Sequence, residues 1–261
     1  MRHLLALTAV DAEARGLARR LGLAAVPGAA FPHYRQGVLE VAAVGLRAAL
    51  LADRLTRCHP PALVVFAGVC GALAPALAQG DLVVPEAVID ARGTRWATAE
   101  IGGLTRRGTL FSADAIAEDA AAKARLWLET GALAVDMESG AILAGARARG
   151  VPAIVVRGVS DTATEAVPPD LAAVIGHDGR TRPLLVVHAA LARPSALADA
   201  MSLGRGMQAA LASVAAALGG LARRHSSGAR IIAPISWPTV TDGGSRAGEP
   251  KGTTPAPPDA T

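Results

Sequence analysis

Four short segments place polar side chains directly after apolar runs. The first is Thr8-Ala9-Val10-Asp11-Ala12-Glu13-Ala14. The second is Gly68-Val69-Cys70-Gly71-Ala72-Leu73, with Gly80-Asp81-Leu82-Val83-Val84 behind it. The third is Val135-Asp136-Met137-Glu138-Ser139-Gly140, and the fourth is Val155-Val156-Arg157-Gly158-Val159-Ser160-Asp161-Thr162. A carboxyl group in such a place can donate a proton, and Asp161 is the sharpest candidate. The plainer use of a Ser160-Asp161 pair is to cap a following helix. Glu138 can accept hydrogen bonds from two hydroxyl groups at once, or complement a helix N-terminus. Gly68 and Gly71 can let backbone N–H groups approach an oxyanion, or form an ordinary tight turn, and spacing does not choose between them. Glu13 and Arg47 both stand at helix starts, where a charged side chain is ordinarily solvated.

Other chemistries are excluded by pattern. His3, His33, His59, His177, His188 and His225 show no metal-ligand spacing. The two cysteines, Cys58 and Cys70, make neither a disulfide framework nor a metal cluster. No dinucleotide fingerprint is present, and Gly68 to Gly71 is followed by no Lys-Ser/Thr of a P-loop.

The elements that must position these residues alternate between strand and helix. Leu4 to Leu7 reads as a buried strand. A helix follows, with Asp11 as its N-cap, Leu17 and Leu21 on one face, and Gly22 to end it. Val38 to Val44 reads as a strand and Leu46 to Arg57 as a helix. Ala62 to Ala67 is a continuous apolar run, the mark of a strand covered on both faces. Leu82 to Val84, Ala132 to Val135 and Pro152 to Arg157 are further strands, and Glu138 to Arg149 a helix. Longer helical segments are expected around Leu184 to Leu191 and from Ala196 to Leu221. The expected fold is α/β, a central mixed, mostly parallel sheet flanked by helices in three layers. Ligands of such sheets sit at the carboxyl ends of strands, where the four segments lie.

Taken together and in this order, the segments resemble the nucleoside phosphorylase and nucleosidase superfamily. The pattern is G-x-x-G, G-D-[LI]-V-V, [DE]-M-E-[SA], then R-x-[VI]-S-D, and each piece alone would be weak. Phe111-Ser112-Ala113-Asp114-Ala115, Gly131 to Ser139, Asp178-Gly179-Arg180 and the region from Arg193-Pro194 look most like the hopanoid-associated phosphorylase branch. The resemblance implies cleavage of the N-glycosidic bond of an adenine nucleoside. Asp161 would protonate the leaving base, with Ser160 orienting it. Glu138 would hold the ribose hydroxyls, Met137 would pack under the sugar, and Arg157 and Ile116 would complete the substrate site. Gly68, Val69, Gly71 and Arg47 would form the phosphate or water site. The related nucleosidases read G-S-A-G-G-L at the glycine segment, so Val69 and Ala72 depart from them and a side-chain hydroxyl is lost. Glu13 aligns with the residue that activates water in the hydrolytic relatives. A carboxylate there repels phosphate, whereas the branch resemblance points to phosphorolysis, of adenosylhopane in hopanoid side-chain synthesis. Phosphorolysis is the expectation, with inorganic phosphate as co-substrate. Hydrolysis of the methylthioadenosine/S-adenosylhomocysteine type is the first alternative, and a non-catalytic nucleoside-binding protein the second. No metal or organic cofactor is implied, and a homo-oligomer is expected.

Composition agrees with an enzyme of this kind. Of 261 residues, 51% are hydrophobic, enough for a sizeable core. Aromatics are 3% and the formal net charge is +4, too few rings and too little clustered charge for a nucleic-acid binder. No apolar stretch is both long and charge-free enough to span a bilayer. The short run Leu4 to Val10 is interrupted by Asp11 and Glu13, unlike a signal peptide. A cytoplasmic protein is expected, touching membranes only through a lipid-linked substrate. The enzyme domain is expected over residues 1–224. From 225 to 261 the chain is rich in Gly, Pro and Ser and reads as a disordered tail, with one apolar island from Ile231 to Trp237.

Overall fold

A computed structural model of the chain describes residues 3–167, Gly179 and 196–227. The segment Leu184 to Leu191, Asp178, Arg180, Arg193-Pro194 and the island Ile231 to Trp237 lie outside the described residues.

Leu4 to Leu7 fall in strand β1 (His3–Thr8), and each is at most 1% exposed, so the run is covered on both faces as its composition requires. Helix α1 (Asp11–Leu21) follows and ends at Gly22, whose φ of +66° is the left-handed conformation of a helix stop. Its N-cap is Val10 rather than Asp11: the Glu13 carboxylate reaches back to the amides of Ala9 and Val10, so no cap side chain is needed. Short strands β2 (Ala24–Ala25) and β3 (His33–Gln36) lead to β4 (Leu39–Ala43). The single helix expected from Leu46 to Arg57 is broken. A 3-10 turn at Leu46–Ala48 carries Arg47 and Ala48 at φ of 53° and 55°, and α2 begins only at Leu51 and runs to Arg57.

Strand β5 (Pro61–Ala72) is twice the expected length and passes straight through Gly68 and Gly71. After it come β6 (Leu82–Val83), β7 (Ala87–Asp90), β8 (Arg95–Ala97) and β9 (Thr109–Ser112). Helix α3 (Ala120–Thr130) is capped by Asp119, which accepts from the Ala122 amide, and is stopped by Gly131 at φ +62°. Then follow β10 (Ala134–Asp136), α4 (Ser139–Ala148), β11 (Ala153–Asp161) and, among the described residues, the long α5 (Ala196–Ser226).

The strands form one mixed sheet. Strands β4, β1, β5 and β11 are parallel neighbours at its centre, β5 also pairs antiparallel with β10, and β9 and β7 continue beyond. Two apolar layers cover it. On one face Leu17 of α1 and Leu211, Val214 and Leu218 of α5 pack on Leu4, Val65 and Ile154. On the other, Leu51 of α2 and Ile142 and Leu143 of α4 pack on Leu5, Phe66 and Val155. Each such fully buried aliphatic side chain contributes roughly 1.5–3 kcal/mol. Helix α5 is seated on β11 through Gly158, where an added Cβ would lie 2.5 Å from the Ala210 carbonyl oxygen. That close approach fixes the end of β11, and the site is built there.

Candidate active site

Asp161 is the last residue of β11, and the pairing with β5 slips just before it: Val159 faces Cys70, and Asp161 faces Gly71. The bulge re-aims the carboxyl off the sheet, a usual way of directing a side chain at a strand end. Gly71 is needed beside it, since a Cβ there would stand 2.9 Å from Asp161 Oδ2. Ser160 Oγ donates to Asp161 Oδ1 at 2.6 Å, with the Cys70 carbonyl also within reach at 3.2 Å. Among the described residues the pair caps no helix.

Arg157 leaves the same strand four residues earlier and is 1% exposed. Its guanidinium lies 3.7 Å over the Phe66 ring. Nε donates to Asp136 Oδ2 at 2.9 Å, and Nη2 is 2.9 Å from that oxygen and 3.4 Å from Glu138 Oε2. Nη1 stands 3.8 Å from Glu13 Oε1 and has no hydrogen-bond partner among the described residues. Three carboxylates thus share one cation. Burial, then the charge of Asp136, pushes Glu138 up to about 7. Burial raises Glu13 as well, against the opposing pull of Arg157.

Glu138 stands at the N-cap of α4 without capping it, because Asp136 takes that work. The Asp136 carboxylate accepts from the Glu138 and Ser139 amides and from Ser139 Oγ. Glu138 is left to accept from the Arg47 amide at 3.0 Å and from Arg157. Glu13 is held by three amides: Ala9 at 2.9 Å, Val10 at 3.1 Å and Val69 at 2.7 Å.

These groups line one cavity of about 340 Å³. The structure brings Asp161, Glu13, Glu138, Met137, Ser160, Ile116, Arg157, Val69 and Gly71 to it. One of the expected anion contacts needs correction. Gly68 to Ala72 is no glycine loop but strand, and the Val69 amide that could meet an oxyanion is already occupied by Glu13. Gly68 instead makes room, since a Cβ on it would fall 2.3 Å from Glu13 Oε1 and 2.5 Å from Arg157 Nη1. Arg47 stands apart: its side chain is exposed and does not line the cavity of its own chain, where it offers Glu138 its amide. The strained backbone at Arg47 and Ala48 aims that amide at Glu138.

Sequence reasoning gave no role to Asp136, quoted only as part of the third segment just after the expected strand Ala132 to Val135, and missed Lys123, which stands in a segment to which no element was assigned. Lys123 is 1% exposed and lines the cavity. Its Nζ donates to Asp161 Oδ2 at 2.5 Å and to the carbonyls of Thr162 and Glu165 at 2.8 and 2.7 Å. A signal existed: Lys123, Leu126, Trp127 and Thr130 follow helical spacing, so the lysine sits on the stripe that turns inward. The remaining wall is apolar, with Val10, Leu46, Val167, Leu203 and Met207.

The sequence matches the family described as the phosphorylase superfamily over residues 35–103 and 91–200. No curated protein sequence matches it. Among solved structures, the native futalosine hydrolase of Helicobacter pylori strain 26695 is similar at TM-score 0.61, with 18% identity over 85% of this chain and 98% of that one. The apo 5′-methylthioadenosine nucleosidase of Arabidopsis thaliana is similar at TM-score 0.59, with 18% identity over 87% of this chain and 96% of that one. A third is a point mutant of the Helicobacter pylori protein abbreviated MTAN, with 5′-methylthioadenosine in its active site. It matches at TM-score 0.61, with 17% identity over 86% of this chain and 99% of that one. At these identities the likeness is one of fold.

Proposed function

The chain belongs to the phosphorylase superfamily, as an enzyme acting on N-glycosidic bonds, and from that premise we propose that it hydrolyses an adenine nucleoside, with water rather than phosphate as the acceptor. The observation that carries this reading is the Glu13 carboxylate. It occupies the Ala9, Val10 and Val69 amides that could otherwise receive an anion. Around it, Glu13, Asp136 and Glu138 face the single guanidinium of Arg157. A phosphate dianion brought there would meet an excess of negative charge at low dielectric.

The same features favour water. A carboxylate raised by burial is a better proton acceptor than a solvated one, so Glu13 serves as the base that takes the proton of the attacking water. Asp161 protonates the base as it leaves. Glu138 accepts from the ribose hydroxyls and gathers negative charge beside the developing oxocarbenium ion, with Met137 under the sugar. The apolar wall fits a nucleoside whose 5′ substituent is apolar. The 5′-methylthioadenosine bound by one structural neighbour has such a substituent, and so has the adenosylhopane implied by the hopanoid-branch resemblance.

The test is incubation with 5′-methylthioadenosine and with adenosylhopane, with and without phosphate, followed by product analysis. Adenine and the free ribosyl sugar should form at the same rate in both media. A ribosyl 1-phosphate formed only when phosphate is supplied would overturn hydrolysis and restore the phosphorolytic expectation.

A further inference from the structure

A general acid must hold a proton at the moment the glycosidic bond breaks, and the surroundings of Asp161 raise the question of where that proton resides. Both carboxyl oxygens already accept: Oδ1 from Ser160 Oγ at 2.6 Å and Oδ2 from Lys123 Nζ at 2.5 Å. A carboxyl that accepts at both oxygens is arranged as an acceptor, not as a donor. Lys123 is the opposite. An ammonium has three N–H groups and no acceptor, and here each has a partner: Asp161 Oδ2 and the carbonyl oxygens of Thr162 and Glu165.

The surroundings are built to keep the lysine in place. Strand β11 ends at Asp161, and the next residues fold back so that the Thr162 amide donates to Glu165 Oε2 at 2.7 Å. Gln79 Nε2 donates to the same Glu165 carboxylate, 3.1 Å from each oxygen. These contacts present the Thr162 and Glu165 carbonyls to Nζ. Helix α3, begun by Asp119, delivers Lys123 one turn later. A surface lysine needs none of this, and a lysine fully buried in an enzyme cavity with its head on the acid is a costly arrangement unless it is used.

We infer that Lys123 is the proton source of the reaction and Asp161 the carrier that delivers its proton to the leaving base; the inference rests on the N-glycosidase reading above. An N–H bond of the Lys123 ammonium breaks and an O–H bond forms on Asp161. That proton then passes to a ring nitrogen of the base as the C1′–N bond breaks, its electron pair leaving with the base. Water adds its oxygen to C1′ and gives one proton to Glu13. Lys123 is left a neutral amine and Glu13 neutral. Glu13 then releases a proton to solvent and Lys123 recovers one, so nucleoside plus water becomes base plus sugar.

The test compares native protein with Lys123→Met and Lys123→Gln on a series of adenine nucleosides whose bases leave with increasing ease, adenine against its 2-chloro and 2-fluoro derivatives. Loss of a proton source costs about 10²- to 10⁴-fold for the poorest leaving base, falls on kcat rather than KM, and shrinks as the base leaves more easily. Ammonium ion, which is the size of the lost Nζ, should restore at least tenfold when added to the Lys123→Met protein. Lys123→Gln keeps an amide donor for the two carbonyls but no transferable ammonium proton, so it serves if Lys123→Met does not fold. An equal loss across all three bases with no rescue by ammonium would make Lys123 a structural strut and overturn the inference, as would a kcat within threefold of native. Failure of the native protein to cleave any of these nucleosides is a separate result, and defeats the reading of the function itself.

Discussion

Two buried charged clusters sit near opposite ends of the central strands, and they are built on different rules. The first surrounds Arg157 at the carboxyl ends of β5 and β11. The second surrounds Glu40, second residue of β4 and 0% exposed. His33 Nε2 meets Glu40 Oε1 at 2.5 Å, while the His59 amide and Nδ1 meet Oε2 at 3.2 and 3.0 Å. Cys58 Sγ is also drawn in, so that His33, Glu40 and Cys58 offer ligand atoms within 4.8 Å of one another, a grouping invisible in the spacing of the histidines. The cation in the first cluster cannot give up its charge, whereas the imidazoles in the second can. The first carries more carboxylates than cations, and Glu138 and Glu13 are raised. In the second, burial pulls Glu40 upward but the hydrogen bonds from His33 and His59 outweigh it, and the carboxyl lies below its ordinary value. The second cluster satisfies its charge; the first keeps a surplus that chemistry can use.

The widest break in this contrast is Arg157→Met. It removes the one cation among Glu13, Asp136 and Glu138 and leaves buried carboxylates unpaired, which costs about 3–5 kcal/mol. Urea unfolding should show that loss, and turnover should disappear with it. A variant that melts like the native protein would mean that Arg157 is not the keystone of the cluster. Next is Asp161→Asn, which keeps the shape of the side chain but carries no proton to the base. Turnover should fall about 10²- to 10⁴-fold in a protein that still folds, with some loss of melting temperature because the buried Lys123 ammonium loses its counter-charge, and near-native kcat would remove Asp161 from the reaction.

The contrast between the clusters also shows what a sequence displays. Leu4 to Leu7 and Gly22 were legible because an uninterrupted apolar run and a helix-ending glycine have one cheap conformation each. Asp161 and Glu138 were legible as candidates because strand ends in a parallel sheet collect function, whereas Arg157 and Glu13 were picked out by the family resemblance. Gly68 to Ala72 was not legible, because glycine and small residues read as a turn, while here a strand needs them so that Glu13, Arg157 and Asp161 fit against it. The break at Arg47 and Ala48 was hidden because non-glycine residues at positive φ are set by tertiary contacts, in this case the amide that meets Glu138. Lys123 shows the limit most clearly, since nothing local marks a lysine whose three acceptors lie about forty residues away along the chain.

Glu40→Gln is the smaller counterpart of Arg157→Met. The amide keeps the size of the side chain and loses a charge-assisted bond, while a neutral imidazole can still hydrogen-bond to an amide. The loss should be about 1–3 kcal/mol in urea unfolding, with turnover kept. A cost equal to that of Arg157→Met would erase the distinction between a fixed and a titratable counter-charge.

The finest test is the pH dependence of stability, where the two clusters should act in different windows. Glu138 is raised from an ordinary value of 4.5 to about 7. Between those values the folded protein holds a proton that the unfolded chain has released, so stability falls as pH rises through that window. Glu40 is lowered from 4.5. Below 4.5 the unfolded chain binds a proton that the folded protein refuses, so its contribution is present above 4.5 and is lost as the pH falls through the folded value. Other groups titrate in both windows, so the measurement is a difference: native stability minus that of Glu138→Gln, and minus that of Glu40→Gln, across a pH series. The first difference should decline from pH 4.5 to about 7 and then level. The second should decline as the pH falls below 4.5. A first difference with no slope would show that neither burial nor the charge of Asp136 raises Glu138 in the folded protein, and the surplus that separates the active-site cluster from the satisfied one would be gone.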